Sequence, residues 1–299
     1  MPREADPSLP ESDFVHAALR KGLRLDGRSR YDLRQVKLRF GDELGWVECS
    51  LGDTRVVVQV SAEVVKPLPD RPYEGFLILA TEISPMASGA YEAGRVRVLE
   101  SALEPERRQR ASEEEILMAR LLEKALRRSE AVDREALCIV AGQKVWSIRV
   151  DVHFLDDCGN MLDCASIAAI TALRHFRKPD VTVVGEEVTI HSMTERVPVP
   201  LAIHHSPMCL TYAFFGSSDE SLSILDPDPL ETALSTGTLT LTLNAQSEIC
   251  VLSKQGGAPI DADEVMKAVQ IGIERVKELD KVVADALERE KARRVVEVR

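Results

Sequence analysis

One segment limits the fold of this 299-residue chain more than any other. Residues 164–177 (CASIAAITALRHFR) are dense in alanine, isoleucine and leucine, follow Asp163 as their expected N-cap, and stop before Pro179. A helix that is apolar nearly all round must be packed between other elements, so the fold has to supply layers on opposite sides of it. The length allows one large domain or two ordinary ones, with ample sequence for such a core.

The flanking sequence supplies those layers twice. Residues 14–21 are predicted to form a short helix and 23–30 a polar loop. Strands are predicted at 35–40, 45–51, 54–65 and 75–83, separated by Gly41-Asp42, Gly52-Asp53 and the loop 67–72. Valines at 56, 57, 58 and 60 predict burial of the third strand on both faces. An irregular stretch, 86–110, leads to a helix from Ser112 to about Arg128. There Ser112 and Glu115 have capping-box spacing, and Ile116, Ala119, Leu122 and Leu126 share a face. Residues 145–155 read as a strand closed by the turn 156–160. Beyond the apolar helix, strands are predicted at 181–184, 187–191, 201–205, 208–215, 221–225, 237–244 and 249–254. A long helix from Asp261 to about Lys291 follows. The expected class is α+β, with two mixed or antiparallel sheets, packed helices and a long C-terminal helix. The expected divisions are an extension with a short helix (1–22), a first α+β half (23–180), a second (181–292) and a tail (293–299).

Charge narrows the function. Asp and Glu number 49 against 38 Lys and Arg, a formal net charge of -11, which excludes a general electrostatic binder of nucleic acid or anionic membrane. A local basic stripe is not excluded. Aromatics at 4% argue against a single-strand binder built on stacking platforms. No apolar run approaches the roughly 20 residues that span a bilayer, and residues 1–12 have no signal-peptide core, so neither membrane association nor secretion is expected. The six cysteines, 49, 138, 158, 164, 209 and 250, have no CxxC spacing and read as structural thiols of an intracellular protein. The histidines form no HxxxH pattern. No metal and no cofactor is expected.

Two concentrations of charge remain. Asp151, Asp156, Asp157 and Asp163 could hold Mg²⁺ or act as acid and base, or they could shape a turn and cap a helix. Arg95, Arg97, Arg107, Arg108 and Arg110 suit contact with a phosphate backbone, or form a solvated loop in which Glu104 and Glu106 cancel part of the charge.

Several strings together carry a resemblance. Arg24-Leu25-Asp26-Gly27-Arg28 before a strand series, and Gly52-Asp53-Thr54-Arg55-Val56 at a strand pair, resemble the opening signatures of the RNase PH family. The string 155–166, LDDCGNMLDCAS, resembles the central turn and helix of that family's non-catalytic branch in the archaeal and eukaryotic exosome. Asp226-Pro227, Asn244, Glu248-Ile249 and Gly256-Gly257 fit its C-terminal pattern. Residues 141–146, 176–181 and 199–205 point more narrowly to one subunit of that branch. The resemblance spans about residues 14–290; the N-terminal dozen residues and the longer stretch 96–110 depart from it, and no extended tail is expected after the last helix.

The resemblance implies an RNase PH-like fold and a place in a six-membered ring of RNase PH-like exosome subunits. It implies a catalytic-branch subunit as direct dimer partner, KH- and OB-type cap subunits, RNA passing through the pore to associated nucleases, and residence in nucleus, nucleolus and cytoplasm. Residues Arg95, Arg97, Arg107, Arg108 and Arg110 would then line part of the RNA path. Active members perform phosphorolysis, holding phosphate with a Gly-Arg-Ser string and using a carboxylate in an Ala-Asp-Gly-Gly turn. Here the string reads Glu123-Lys124-Ala125, and Cys158 stands where the carboxylate is expected. A carboxylate, a lysine and a methyl group cannot replace close backbone approach, a bidentate guanidinium and a hydroxyl. The expectation is a non-catalytic structural subunit. The alternatives are an active phosphate-dependent 3′-to-5′ exoribonuclease, alone or as half of a composite site, and a free RNA-binding adaptor.

Overall fold

A computed structural model describes residues 7–88, 91, 97–98, 113–184, 187–192, 195–216, 222–257 and 259–297. The chain opens with α1 (Leu9–Arg20), then β1 (Val36–Phe40), β2 (Trp46–Leu51), β3 (Thr54–Val65), β4 (Phe76–Ile83) and the short β5 (Arg97–Val98). Next come α2 (Glu113–Glu123), a π-helical turn (Lys124–Arg128), a 3-10 turn (Glu135–Leu137), β6 (Cys138–Val140), β7 (Lys144–Asp156) and the central helix α3 (Met161–His175). The second half holds β8 (Arg177–Lys178), β9 (Val181–Val184), β10 (Glu187–Ile190), β11 (Val199–Pro200), β12 (Met208–Phe215) and β13 (Leu222–Leu225). It ends with α4 (Pro229–Leu234), β14 (Gly237–Leu243), β15 (Ile249–Gln255) and α5 (Ala262–Glu297).

Two sheets result. The first runs β1-β2-β3-β7-β4-β5, with β6 also on β7; β4 lies parallel to β7 and the other pairings are antiparallel. The second, β13-β12-β14-β15, is antiparallel throughout. Two small ribbons, β9–β10 and β8–β11, accompany them.

The apolar helix is where its sequence requires it to be. Of the 15 residues of α3, all but Arg174 are buried. The helix packs on β2 and β3 from one side and on β12 and α5 from the other. Its core joins Val56, Val58 and Ile148 of the first sheet to Leu210, Leu239 and Leu241 of the second and Val276 of α5. The two halves therefore share one continuous core.

Local departures from the sequence reading have identifiable causes. α1 starts at Leu9, five residues before the expected 14, because Ser8 and Glu11 form a capping box and Pro10 occupies the first turn. β3 buries one face only: Val56, Val58 and Val60 point inward, while Arg55, Gln59 and Ser61 meet solvent, as antiparallel pairing on both of its edges permits. The expected strand 201–205 forms no ladder, since Pro200 and Pro207 bracket it. Ile203 instead makes a single bridge to Val132, and His204 N donates to Ala131 O (2.9 Å). α4 has no counterpart among the expected elements, although Asp228, Pro229 and Glu231 supply a capping box with proline in the first turn. Ser112, the expected cap of α2, lies outside the described residues, and α2 gives way to the π-helical turn at Lys124.

Asp163 is not the cap of α3. α3 begins at Met161, preceded by Asn160 in the left-handed region (φ 53°, ψ 47°), and Asp163 is buried inside the first turn. It belongs to the junction described next.

Candidate functional site

The turn after β7 is held by arginines from the N-terminal loop. Arg34 donates to Cys158 O (2.8 Å) and Gly159 O (2.9 Å), and grips both carboxylate oxygens of Asp226 at 2.8 and 2.9 Å. Arg28 donates to Asp226 Oδ2 (2.8 Å) and Asp228 Oδ1 (3.1 Å), and also pairs with Asp26. Arg24, wholly buried, forks onto Glu231 at 3.0 and 2.5 Å and donates to the carbonyls of Leu225 and Asp226, each at 2.8 Å. Thr54 Oγ1 donates to Gly159 O (2.7 Å). The string 24–28 thus binds the second half to the first through buried, charge-assisted hydrogen bonds. Gly159 is required at its place: its φ is +84°, and a Cβ would lie 2.9 Å from Pro229.

Asn160 bridges two acids, donating to Asp163 Oδ2 and Asp226 Oδ1, both at 2.7 Å. Thr211 donates to Asp163 through its backbone N–H and its hydroxyl, each at 2.8 Å. Burial and the Asp226 charge push the Asp163 carboxyl up to about 7, against the pull of Asn160 and Thr211. Burial would raise Asp226 as well, but the Arg34 hydrogen bonds and charge overcome it and hold that carboxyl below its usual range. Native Asp163 therefore binds a proton that the unfolded chain has already released. Stability from this group is full below about pH 4 and is lost as pH rises towards 7. Asp163→Asn is expected to flatten that decline, read as the urea midpoint across pH 4 to 8. An unchanged slope would assign the decline to other groups.

The four aspartates weighed as a metal or acid–base cluster are not brought together. Asp151 pairs with Arg149 (2.8 Å) and Asp156 with Arg55 (3.2 Å). Asp157 accepts from Gly159 N (3.0 Å) and Tyr91 Oη (3.1 Å), and Asp163 faces inward. Among the described residues no three His, Cys, Asp or Glu side chains converge as metal ligands, and no helix is long and apolar enough to cross a membrane.

Of the string 123–125, Glu123 ends α2 and pairs with Arg127 (3.2 Å), Lys124 is exposed at the start of the π-helical turn, and Ala125 is buried. The Cys158 thiol lies 3.9 Å from Asp156 Oδ1; burial and the carboxylates of Asp156, Asp53 and Asp157 push it up, so it stays protonated at neutral pH. A protonated thiol there is a poor substitute for a carboxylate in proton transfer. Of the arginine stretch, Arg95, Arg107, Arg108 and Arg110 lie outside the described residues. Arg97 opens β5, paired with Thr81 of β4. Arg34 gave no signal in the sequence. Asp226 was visible only as half of an Asp-Pro pair.

This fold, with its joined α+β halves and signature turn, defines the class. Residues 32–179 match the 3′ exoribonuclease family, domain 1 (RNase PH), and residues 205–275 match domain 2, so the chain belongs to the RNase PH family. It is 43% identical over 288 residues to "Exosome complex component rrp45" of Schizosaccharomyces pombe, covering 96% of this chain and 93% of that one. The Saccharomyces cerevisiae protein of the same name is 42% identical, covering 89% and 86%. The RRP45 name corresponds to the polymyositis–scleroderma autoantigen type, component nine, the subunit that strings 141–146, 176–181 and 199–205 resemble. Among solved structures, the chain is similar to one of the Archaeoglobus fulgidus exosome with RNA bound to the active site. The TM-score is 0.73 and the identity 29%, over 90% of this chain and 96% of that one. An archaeal exosome core gives a TM-score of 0.67 at 28% identity.

Proposed function

We propose that this chain is a non-catalytic structural ring subunit of the eukaryotic RNA exosome, supporting 3′-to-5′ RNA processing and decay by scaffolding the ring and guiding RNA through its pore. The observation that carries this reading is the 43% identity, over nearly the whole of both chains, to a relative named as an exosome component. The chemistry of the turn supports the non-catalytic part: a protonated Cys158 thiol stands in place of the carboxylate, and Glu123, Lys124 and Ala125 in place of a phosphate cradle. On this reading its partners are the other RNase PH-like subunits, one of the catalytic branch as its dimer partner, together with KH- and OB-type caps, associated nucleases and transiting RNA. Its location is the nucleus, the nucleolus and the cytoplasm.

Purification with native partners tests the assembly, and phosphate-dependent release of nucleoside diphosphates from RNA tests the chemistry. Co-elution of ring subunits without phosphorolysis by the isolated chain is expected. Diphosphate release by the isolated chain would overturn the non-catalytic reading, and a stable monomer without partners would overturn the ring.

The arginine stretch gives a quantitative check. Replacing Arg107, Arg108 and Arg110 with glutamine in the assembled ring is expected to lower the slope of log K against log salt for RNA binding. The reduction should be about 0.7 for each single-strand phosphate that these side chains no longer neutralise. An unchanged slope would assign them to solvent.

A further inference from the structure

Away from the junction, two adjoining cavities open between the loop that precedes β4 and the π-helical turn after α2. One, of about 190 Å³, has Leu68, Phe76 and Leu77 in its wall. The other, of about 370 Å³, is lined by Arg71, Arg127, Arg128 and Arg134 with Glu123 and Glu130. Arg71, Arg127 and Arg134 border both, so a slot lined partly by apolar and partly by charged side chains continues into an arginine-walled trough.

The backbone around the trough is irregular. Arg127 and Arg128 are consecutive, and on a regular α-helix their side chains would diverge by about 100°, yet both line one cavity. They belong to the π-helical turn, and two residues on Glu130 is held at φ 57°, in the left-handed region. The opposite wall is fixed as well: Gly75 N donates to Arg134 O (2.9 Å), and a Cβ on Gly75 would lie 2.4 Å from Leu137 Cβ.

Charge selects the occupant. Arg71 and Arg134 share Glu74 at 3.1 and 3.0 Å, and Arg127 pairs with Glu123, which leaves a cationic excess. Arg128 is exposed and makes no ion pair among the described residues. A phosphodiester backbone carries a charge at every step and would meet Glu74, Glu123 and Glu130 as well as the arginines. A peptide can place carboxylates opposite guanidiniums and a neutral side chain between them. The apolar part of the slot's lining, Leu68 (42% exposed), Phe76 and Leu77, suits an aliphatic group in that position.

We propose that this cleft docks a segment of a partner protein in which one or two leucine-like side chains are flanked by acidic residues. The aliphatic group enters the slot beside Leu68 and Phe76, while its neighbours' carboxylates pair with Arg128 and the shared arginines. The proposal does not depend on the chain being a ring subunit.

The test is fluorescence anisotropy of the full chain with the labelled hexapeptide Glu-Asp-Leu-Leu-Glu-Asp. Saturable binding is expected, weakened about tenfold or more by Arg128→Glu and by Leu68→Asp. Both positions are exposed, so thermal melts of the variants should match the parent. Serine in place of the two leucines, or lysine in place of the acids, is expected to abolish binding of the peptide. The proposal is overturned by absence of saturable binding up to millimolar peptide, or by variants that bind like the parent. It is also overturned if oligouridylate displaces the peptide and itself loses affinity in Arg128→Glu, which would make the cleft a nucleic-acid site.

Discussion

Asp226→Ala is expected to lower the free energy of unfolding by about 3–5 kcal/mol, the range for removing one partner of a buried, hydrogen-bonded ion pair. The fully buried carboxylate accepts from Arg28, Arg34 and Asn160, and from Arg34 N at 2.9 Å, so one deletion leaves two guanidiniums and an amide without their acceptor. Backbone geometry adds to the cost. Asp226 sits at φ 54°, which alanine tolerates less well than Asp or Asn. Asp226→Asn keeps that tolerance and part of the hydrogen bonding, so its loss should be smaller. Urea denaturation of both variants decides the matter: equal midpoints for parent and Asp226→Ala would mean that the arginines find water or other acceptors at no cost.

Leu173→Ala carries the second large effect, about 2–5 kcal/mol, because the residue is fully buried in α3. Its more telling consequence is where the loss is felt. Trp46 and Trp146 lie in the first sheet and report its unfolding through fluorescence, whereas in a background that keeps Cys209 as its one cysteine that buried thiol reports the second through its reaction with a disulfide reagent. With one core spanning both sheets, the two probes should shift together, to the same lower denaturant concentration. Separate transitions would mean that each half stands on its own core.

The architecture was legible where periodicity and burial agree. The apolar run 164–177 called for a central helix with layers on both sides, and α3 has them. The apolar positions 265, 269, 273, 276, 279, 283 and 287 marked the inner face of α5, of which Val269, Val276, Leu279 and Val283 are buried. Four valines nearly filling one strand overstated the burial of β3, because Val57 differs from its neighbours only in which side of the sheet it faces. The candidate site was less legible. The partnership of Arg34 with Asp226 crosses 192 residues, and no local pattern encodes it. The arginine-walled cleft is likewise assembled from position 71 and the distant positions 127, 128 and 134, which meet it through an irregular helical turn.

The signature turn is recognised through its main chain. Arg34 and Thr54 read the carbonyl oxygens of residues 158 and 159, and Pro229 reads the missing side chain of Gly159. Nothing in that reading depends on what residue 158 carries beyond its Cβ. A lineage can therefore change the chemical group at this position, from acid to thiol, without disturbing the joint that makes the turn recognisable. At this joint the shape of the turn and the chemical group it carries are set by different atoms, so one can vary while every contact that defines the other stays in place.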